Sequence, residues 1–405
     1  MGRVVITGMG IYSCIGKNLD EVKASLYQGK SGIVFDPERN ELGYRSPLTG
    51  MVEAPNLKSL LTRRQRISMG QESTYAYVST LEALKNAKLT QELIDTNEVG
   101  IIFGNDSTAK SVIESIDTVR EKKDTTLVGS GAIFKAMNST VTMNLATIFK
   151  LTGVNFTISA ACASGSHAIG MAYHLVKSGM QNIIVCGGAQ EINPLAMASF
   201  DGLGVFATTT ESPKKASRPF DKDRNGLIPS GGGATVVVES YESAIKRGAP
   251  ILGEIIGYGF SSNGDHISTP NVTGPSRAMK KALQDAGLDA SAIDYINAHA
   301  TSTPVGDTNE AKAIFEVFGN NPYVSSTKSM TGHECWMAGA SEVIYAMLMM
   351  RHSFIAPNIN LENPDEDAAK LNLVDQTIDR KIDVFLSNSF GFGGTNSALI
   401  IKNVL

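Results

Sequence analysis

Three side chains in this sequence have the types and settings to act on a carbonyl: Cys162, His299 and His333. Cys162 lies in Thr157-Ile158-Ser159-Ala160-Ala161-Cys162-Ala163-Ser164-Gly165-Ser166-His167, where a β-prone run gives way to small residues. From Ala168 the apolar positions Met171, Ala172, Leu175 and Val176 follow at helical spacing until Ser178 and Gly179. A cysteine at a helix start meets unpaired N–H groups and the positive end of the dipole, which favour a thiolate, and small neighbours leave room for a substrate. This stretch alone equally admits a buried structural cysteine.

The histidines help to decide. Of the six, His167 and His174 fall within the helix after Cys162, His266 in a polar loop and His352 at a helix end, all structural or solvated settings. His299 and His333 differ, because each stands where a strand yields to a turn of small residues: Tyr295-Ile296-Asn297-Ala298-His299, and Lys328-Ser329-Met330-Thr331-Gly332-His333. Strand ends in α/β sheets are where sites collect, so three such ends can converge. A thiolate that accepts an acyl group and two imidazoles that polarise a carbonyl suit carbon–carbon bond formation through a thioester. A Cys-His hydrolase would need only one imidazole.

Strands and helices alternate throughout, which makes the class α/β. Val4 to Ile6 then Gly8-Met9-Gly10, and Ile251 to Ile256 then Gly257-Tyr258-Gly259, both read as strands running into glycine turns. The segment from Val324 to Lys328, with a turn at Gly332 and a helix from about Glu334 to Met350, repeats the order around Cys162. Two related halves follow, 1–248 with Cys162 and 249–405 with both histidines. Helices are also predicted over Ser73 to Ala87 and Phe134 to Phe149, with strands at Val99 to Phe103, Ile183 to Cys186 and Thr235 to Glu239.

With 405 residues, 42% hydrophobic and 19% charged, the chain has the composition of a globular protein with a large interior. A net charge of -4 provides no global basic field, so nucleic acid is not an expected partner. The four cysteines, at 14, 162, 186 and 335, form no CxxC pair, which argues against a disulfide framework or zinc and for a reducing cytoplasm. No stretch approaches the ~20 apolar residues of a spanning helix, and residues 1–8 do not resemble a signal peptide, so no membrane association is expected. Other motifs fail on inspection. Asp221-Lys222-Asp223-Arg224-Asn225-Gly226 imitates half an EF-hand, but Gly232 stands where the bidentate Glu belongs, and a turn stapled by Asp and Arg is the expectation. His333-Glu334 begins an HExxH whose second His is replaced by Met337. Gly391-Phe392-Gly393-Gly394 lacks the companions of a phosphate loop.

Taken in order, Cys162-Ala163-Ser164-Gly165, the segment 297–307, Lys328 with Thr331-Gly332-His333, and the segment 388–396 resemble the β-ketoacyl-acyl-carrier-protein synthases of the thiolase superfamily, nearest the synthase I branch. The resemblance implies a five-layered α-β-α-β-α core built from two pseudo-symmetric halves. It implies a decarboxylative condensation in fatty acid elongation: Cys162 takes an acyl chain from acyl carrier protein, and malonyl-carrier protein then loses carbon dioxide. His299 and His333 would hold the enolate, and the N–H groups of Cys162 and Phe392 the oxyanion. Lys328 would support His333, with Glu310 as its countercharge.

Phe392 would also gate the acyl chain, with Phe390, Gly391 and Gly393 beside it, while Thr301 and Thr303 would bind the phosphopantetheine arm. No bound cofactor is implied, since the carrier protein delivers that arm. A structural monovalent cation near Asn297, Glu342, Ser387 and Asn388 and a homodimer are further implications. Arg63, Arg64 and Arg66, with Lys122 and Lys123, are candidates for the landing patch of the acidic carrier protein.

One turn departs from the family pattern. After His333 the family usually has a small, glycine-containing run before Ala-Gly, whereas this chain has Glu334-Cys335-Trp336-Met337 and its single tryptophan. Trp336 and Met337 are expected either to pack in the core or to reshape the acyl pocket or the dimer surface. A polyene or polyketide pathway with a dedicated carrier protein is therefore an alternative. A thiolase would need a second cysteine at the Gly391-Phe392-Gly393 turn, and a silent chain-length partner would lack the nucleophile.

Overall fold

The computed structural model describes residues 2–404. Strands β1 (Val4–Tyr12), β2 (Val99–Gly104), β3 (Asn155–Ile158), β4 (Ile183–Gln190) and β5 (Gly232–Ser240) come first in the chain. β6 (Gly253–Ser262), β7 (Tyr295–Asn297), β8 (Tyr323–Ser325), β9 (Asn372–Leu373), β10 (Val384–Gly391) and β11 (Thr395–Lys402) follow. Their spatial order is β9-β8-β7-β10-β11-β6-β1-β5-β4-β2-β3. From β3 inward to β1 the pairings run parallel, parallel, antiparallel, antiparallel, and from β8 inward to β6 they run the same way. The chain thus repeats one five-strand topology, and the repeats meet where residues 4–6 pair with residues 253–255.

Five helices position the site: α1 (Gln71–Asn86), α2 (Ser164–Lys177), α3 (Thr273–Ala286), α4 (Pro304–Phe318) and α5 (Ala338–His352). α2 and α5 form the middle layer. Residues 338–350 of α5 are all buried, the mark of a helix surrounded by protein. Ala172 and Val176 of α2 and Ile344 and Met347 of α5 share one core with Ile6 and Val236 on one side and Ile255 and Leu399 on the other. α1 covers one outer face through Ala76 and Ala83, and α3 covers the other through Ala278 and Ala282. The layers therefore run α-β-α-β-α.

The glycine pairs expected to end the first strand of each half instead lie inside β1 and β6. A Cβ on Gly10 would stand 2.0 Å from the carbonyl oxygen of Ser79 in α1, and one on Gly259 would stand 2.0 Å from that of Ala278 in α3. These glycines let a helix lie directly on the strand, the same device in both halves. The helix expected over 134–149 is broken into Ala132–Ala136 and Thr140–Phe149, with Met137 extended between them. There Asn138 is tied to the 105–106 segment, its side chain donating to the carbonyl of Asp106 and its own carbonyl accepting from Asn105 Nδ2 at 2.9 Å. Asp221 does staple a turn, accepting from Arg218 Nε at 3.1 Å and from the N–H groups of Glu362 and Asn363 at 2.9 and 2.7 Å. Among the described residues no helix is long and apolar enough to cross a membrane.

One buried acid lies outside this scheme. Burial first, and the charge of Glu191 second, push the Glu72 carboxyl on α1 up to about 8. A carboxyl raised on folding contributes stability that is complete below its unfolded value and is lost as pH rises through the folded one. Glu72→Gln is therefore expected to raise Tm by a few degrees at pH 8 while changing it little at pH 5, measured by calorimetry across that range.

Candidate active site

Cys162 sits on the tight turn Ala161–Ala163 between β3 and α2. The turn is stitched by Ala160 N–H to Ser164 Oγ at 2.9 Å, Ser164 Oγ to Ala161 O at 2.6 Å, and Ala161 N–H to Asp106 Oδ2 at 3.2 Å. Cys162 is 6% exposed. Burial pushes it up to about 12, against the pull of the Lys328 ammonium and of hydrogen bonds from the Cys162 and Phe392 N–H groups. Burial thus works against the thiolate expected from the helix start, because a charged sulfur loses its hydration there.

His299 leaves the end of β7. Its N–H and that of Ala300 donate to Glu310 of α4 at 2.9 and 2.6 Å, and Asn388 Nδ2 donates to the same carboxylate at 3.1 Å. His333 is held by its backbone, donating to Ile228 O at 2.7 Å and accepting from Ser230 N–H at 2.9 Å. The two rings meet edge to face, with centroids 5.3 Å apart, and Phe390 lies 5.7 Å from His299. Burial, then the charge of Lys328, holds both imidazoles well below the usual histidine range. Each is neutral at pH 7 and carries one N–H for a partner in the cavity.

Lys328 acts on His333 through its charge, as expected, but its nearest imidazole is His299, with Nζ 3.4 Å from Nδ1, and it forms its buried ion pair with Glu342 of α5. Glu310 is not the countercharge, because its oxygens are taken by the two backbone amides and Asn388. Burial pushes the Glu310 carboxyl up to about 7 and acts on Glu342 in the same direction, while the Lys328 ammonium opposes both and keeps Glu342 as its charged partner. Lys328→Met would strand Glu342 without a counterion, and a loss of about 3–5 kcal/mol is expected in denaturant titrations. Adding Glu342→Gln should recover part of that loss.

Asn297 Oδ1, Glu342 Oε2, Ser387 Oγ and Asn388 Oδ1 are all buried without a hydrogen-bond partner. Asn297 and Ser387 face each other in the β7–β10 ladder. An all-oxygen set with a single carboxylate fits a hard cation, so these residues fit the monovalent ion that the resemblance implies. Bound there, it would supply positive charge against Glu342.

Cys162, His299 and His333 open onto one cavity of about 300 Å³, walled also by Thr301, Thr303, Phe390, Gly391 and Phe392. Thr301 and Thr303 hydroxyls lie 3.1 Å apart. Gly393 does not wall the cavity; at φ +78° it turns the loop and donates its N–H to Ile267 O at 2.7 Å. Arg63 and Arg64 are exposed on the short helix Arg63–Arg66, whereas Arg66 is half-buried and donates Nε to Leu61 O at 3.2 Å. Lys122 and Lys123 are exposed, with Lys122 paired to Glu121. Neither Met337 nor Trp336 walls the cavity: Met337 belongs to the central core, and Trp336 packs behind the cavity against Cys162 and Phe200. Phe200, which also lines the cavity, was not foreseen, since nothing in its local sequence marks it.

Two family models cover most of the chain: the beta-ketoacyl synthase N-terminal domain over residues 1–244 and the C-terminal domain over residues 252–362. The chain is 44% identical over 408 residues to 3-oxoacyl-[acyl-carrier-protein] synthase 1 of Escherichia coli K12, covering 100% of both. A crystal structure of a beta-ketoacyl synthase from Burkholderia phymatum superposes with a TM-score of 0.96 at 36% identity, covering 100% of both chains. A type II PKS ketosynthase, AntDE, in complex with its acyl-carrier protein AntF, superposes with a TM-score of 0.91 at 28% identity, again covering 100% of both chains. With family models over residues 1–244 and 252–362 and full-length relatives of the same name, the chain belongs to the beta-ketoacyl synthase family of condensing enzymes.

Proposed function

We propose that this protein condenses a Cys162-bound acyl chain with malonyl-acyl-carrier protein to give a 3-oxoacyl-acyl-carrier protein, as in fatty acid elongation. The supporting observation is the pair of neutral imidazoles, His299 and His333, opening onto the cavity that also reaches Cys162. In acylation the Cys162 sulfur attacks the carbonyl of the incoming thioester, and the oxyanion is held by the Cys162 and Phe392 N–H groups, both of which favour negative charge at the sulfur. The pantetheine sulfur leaves and takes up the thiol proton.

In condensation the malonyl carboxylate departs as carbon dioxide, and the electron pair becomes an enolate accepting one N–H from each imidazole. Its carbon attacks the Cys162 thioester, the new carbon–carbon bond forms, and the Cys162 sulfur leaves and is reprotonated from solvent. Lys328 and Glu310 are positioning residues here: the first holds His299 neutral and the second clamps its backbone. Thr301, Thr303 and Phe392 all wall the cavity, which supports the two threonines as ligands of the phosphopantetheine arm and Phe392 as the gate. Arg63 and Arg64 are the part of the basic patch free to meet an acidic carrier protein.

A homodimer is supported by β3, an edge strand with one side unpaired and with Phe156 53% exposed, a surface that a two-fold partner would cover. The halves 1–248 and 249–405 would then each contribute to every site. The test is to mix the protein with an acyl-carrier protein bearing a short acyl chain and with malonyl-carrier protein. Carbon dioxide and 3-oxoacyl product should appear one to one; carbon dioxide without product would refute the condensation.

A further inference from the structure

We propose that Trp336 determines specificity, selecting flat, conjugated acyl groups on Cys162 over saturated chains of equal length. This rests on Cys162 being the acylated residue and concerns only which acyl groups it carries.

The repeated topology sets two matching turns against each other at the centre of the molecule: Ala161–Ala163 before α2 and Cys335–Met337 before α5. Each opens on a residue in the left-handed region, Ala161 at φ 45° and Cys335 at φ 46°. Cys162 and Trp336 occupy the same second position of their turns. The site of the nucleophile in one half is therefore the site of an indole in the other, and the two pack in one cluster with Cys335 and Phe200.

Trp336 is 5% exposed, yet its Nε1 has no hydrogen-bond partner, so packing alone holds the ring. That ring lies 5.9 Å from Phe200, and Phe200 lies 6.3 Å from Phe392 with the planes within 24°. Phe200 and Phe392 also wall the cavity beside Cys162. Trp336 does not itself wall the cavity but backs Phe200. The sulfur therefore emerges beside two aromatic rings, Phe200 and Phe392, whose faces an acyl chain meets, and Trp336 fixes the first of them from behind.

A conjugated chain is flat and stiff. It loses little torsional freedom on being held between such faces and gains offset stacking, whereas a saturated chain must give up rotamers to lie in the same space. Met337, the other unusual residue of the turn, packs into the central core and takes no part.

The test uses length-matched pairs of acyl-carrier proteins, hexanoyl against 2,4-hexadienoyl and octanoyl against 2,4,6-octatrienoyl, with the rate of Cys162 acylation read by intact-protein mass. The quantity compared is the conjugated-to-saturated rate ratio, wild type against variant, which cancels the intrinsic reactivity of each thioester. The ratio is expected to fall three- to tenfold in Trp336→Leu and to hold in Trp336→Phe. Phe200→Leu, which removes a second ring, should also lower it and decides the matter if Trp336→Leu does not fold. An unchanged ratio in the leucine variants, or a ranking set by chain length alone, would overturn the proposal. No acylation by any member of the panel would instead reject the reading of Cys162, and this inference with it.

Discussion

Cys162→Ala is expected to take up no acyl group from any acyl-carrier protein and to form no 3-oxoacyl product, a loss of roughly 10⁴-fold or more. The sulfur is the one thiol among the described residues lining the cavity, and no neutral histidine or hydroxyl there matches it as a carrier of the acyl chain between the two half-reactions. Cys335 lies nearby in the same cluster but is buried at 1% exposure, and burial raises its thiol further. Malonyl decarboxylation should persist in the same variant, because the enolate is held by His299 and His333 and neither needs the sulfur. Radiolabelled carbon dioxide release and product formation, followed together, check both halves of this expectation.

His299→Ala and His333→Ala are each expected to slow condensation by about 10²–10³-fold while leaving Cys162 acylation within a few-fold of wild type. Each removes one N–H from the enolate oxygen in a site where water cannot substitute for it. Single-turnover assays with pre-acylated enzyme separate the two steps. The pH dependence follows from the same geometry. Both imidazoles are held neutral by burial and by Lys328, their values lying well below the ordinary one near 6.5. Condensation by acylated enzyme should therefore show no acid limb between pH 7 and pH 6. For stability the sign is the usual one for histidines buried neutral: the unfolded chain binds the protons, so stability falls as pH drops below about 6.5.

Much of the site was legible in the chain because its parts are local. The helix after Cys162 follows from the spacing of Ala168, Ala172 and Val176, and the strand before His299 from Tyr295 to Asn297. What was not legible depends on what packs opposite. Gly10 and Gly259 look like turn residues until α1 and α3 are seen lying on them. The partner of Lys328 could be any acid that the fold brings near, and α5 delivers Glu342 while Glu310 is consumed by backbone amides. The ionisation of Cys162 turned on burial, which the residues around it do not reveal. Trp336 stood out in the sequence as a departure, but its place opposite Cys162 became visible only once the two turns were seen as counterparts.

The most direct measurement is the intact and peptide mass of the purified protein after incubation with acyl-carrier proteins. A single adduct of the acyl mass on the peptide containing Cys162, discharged when malonyl-carrier protein is added, is the predicted result. No adduct under conditions that load an established condensing enzyme, or one on Cys335 instead, would contradict it.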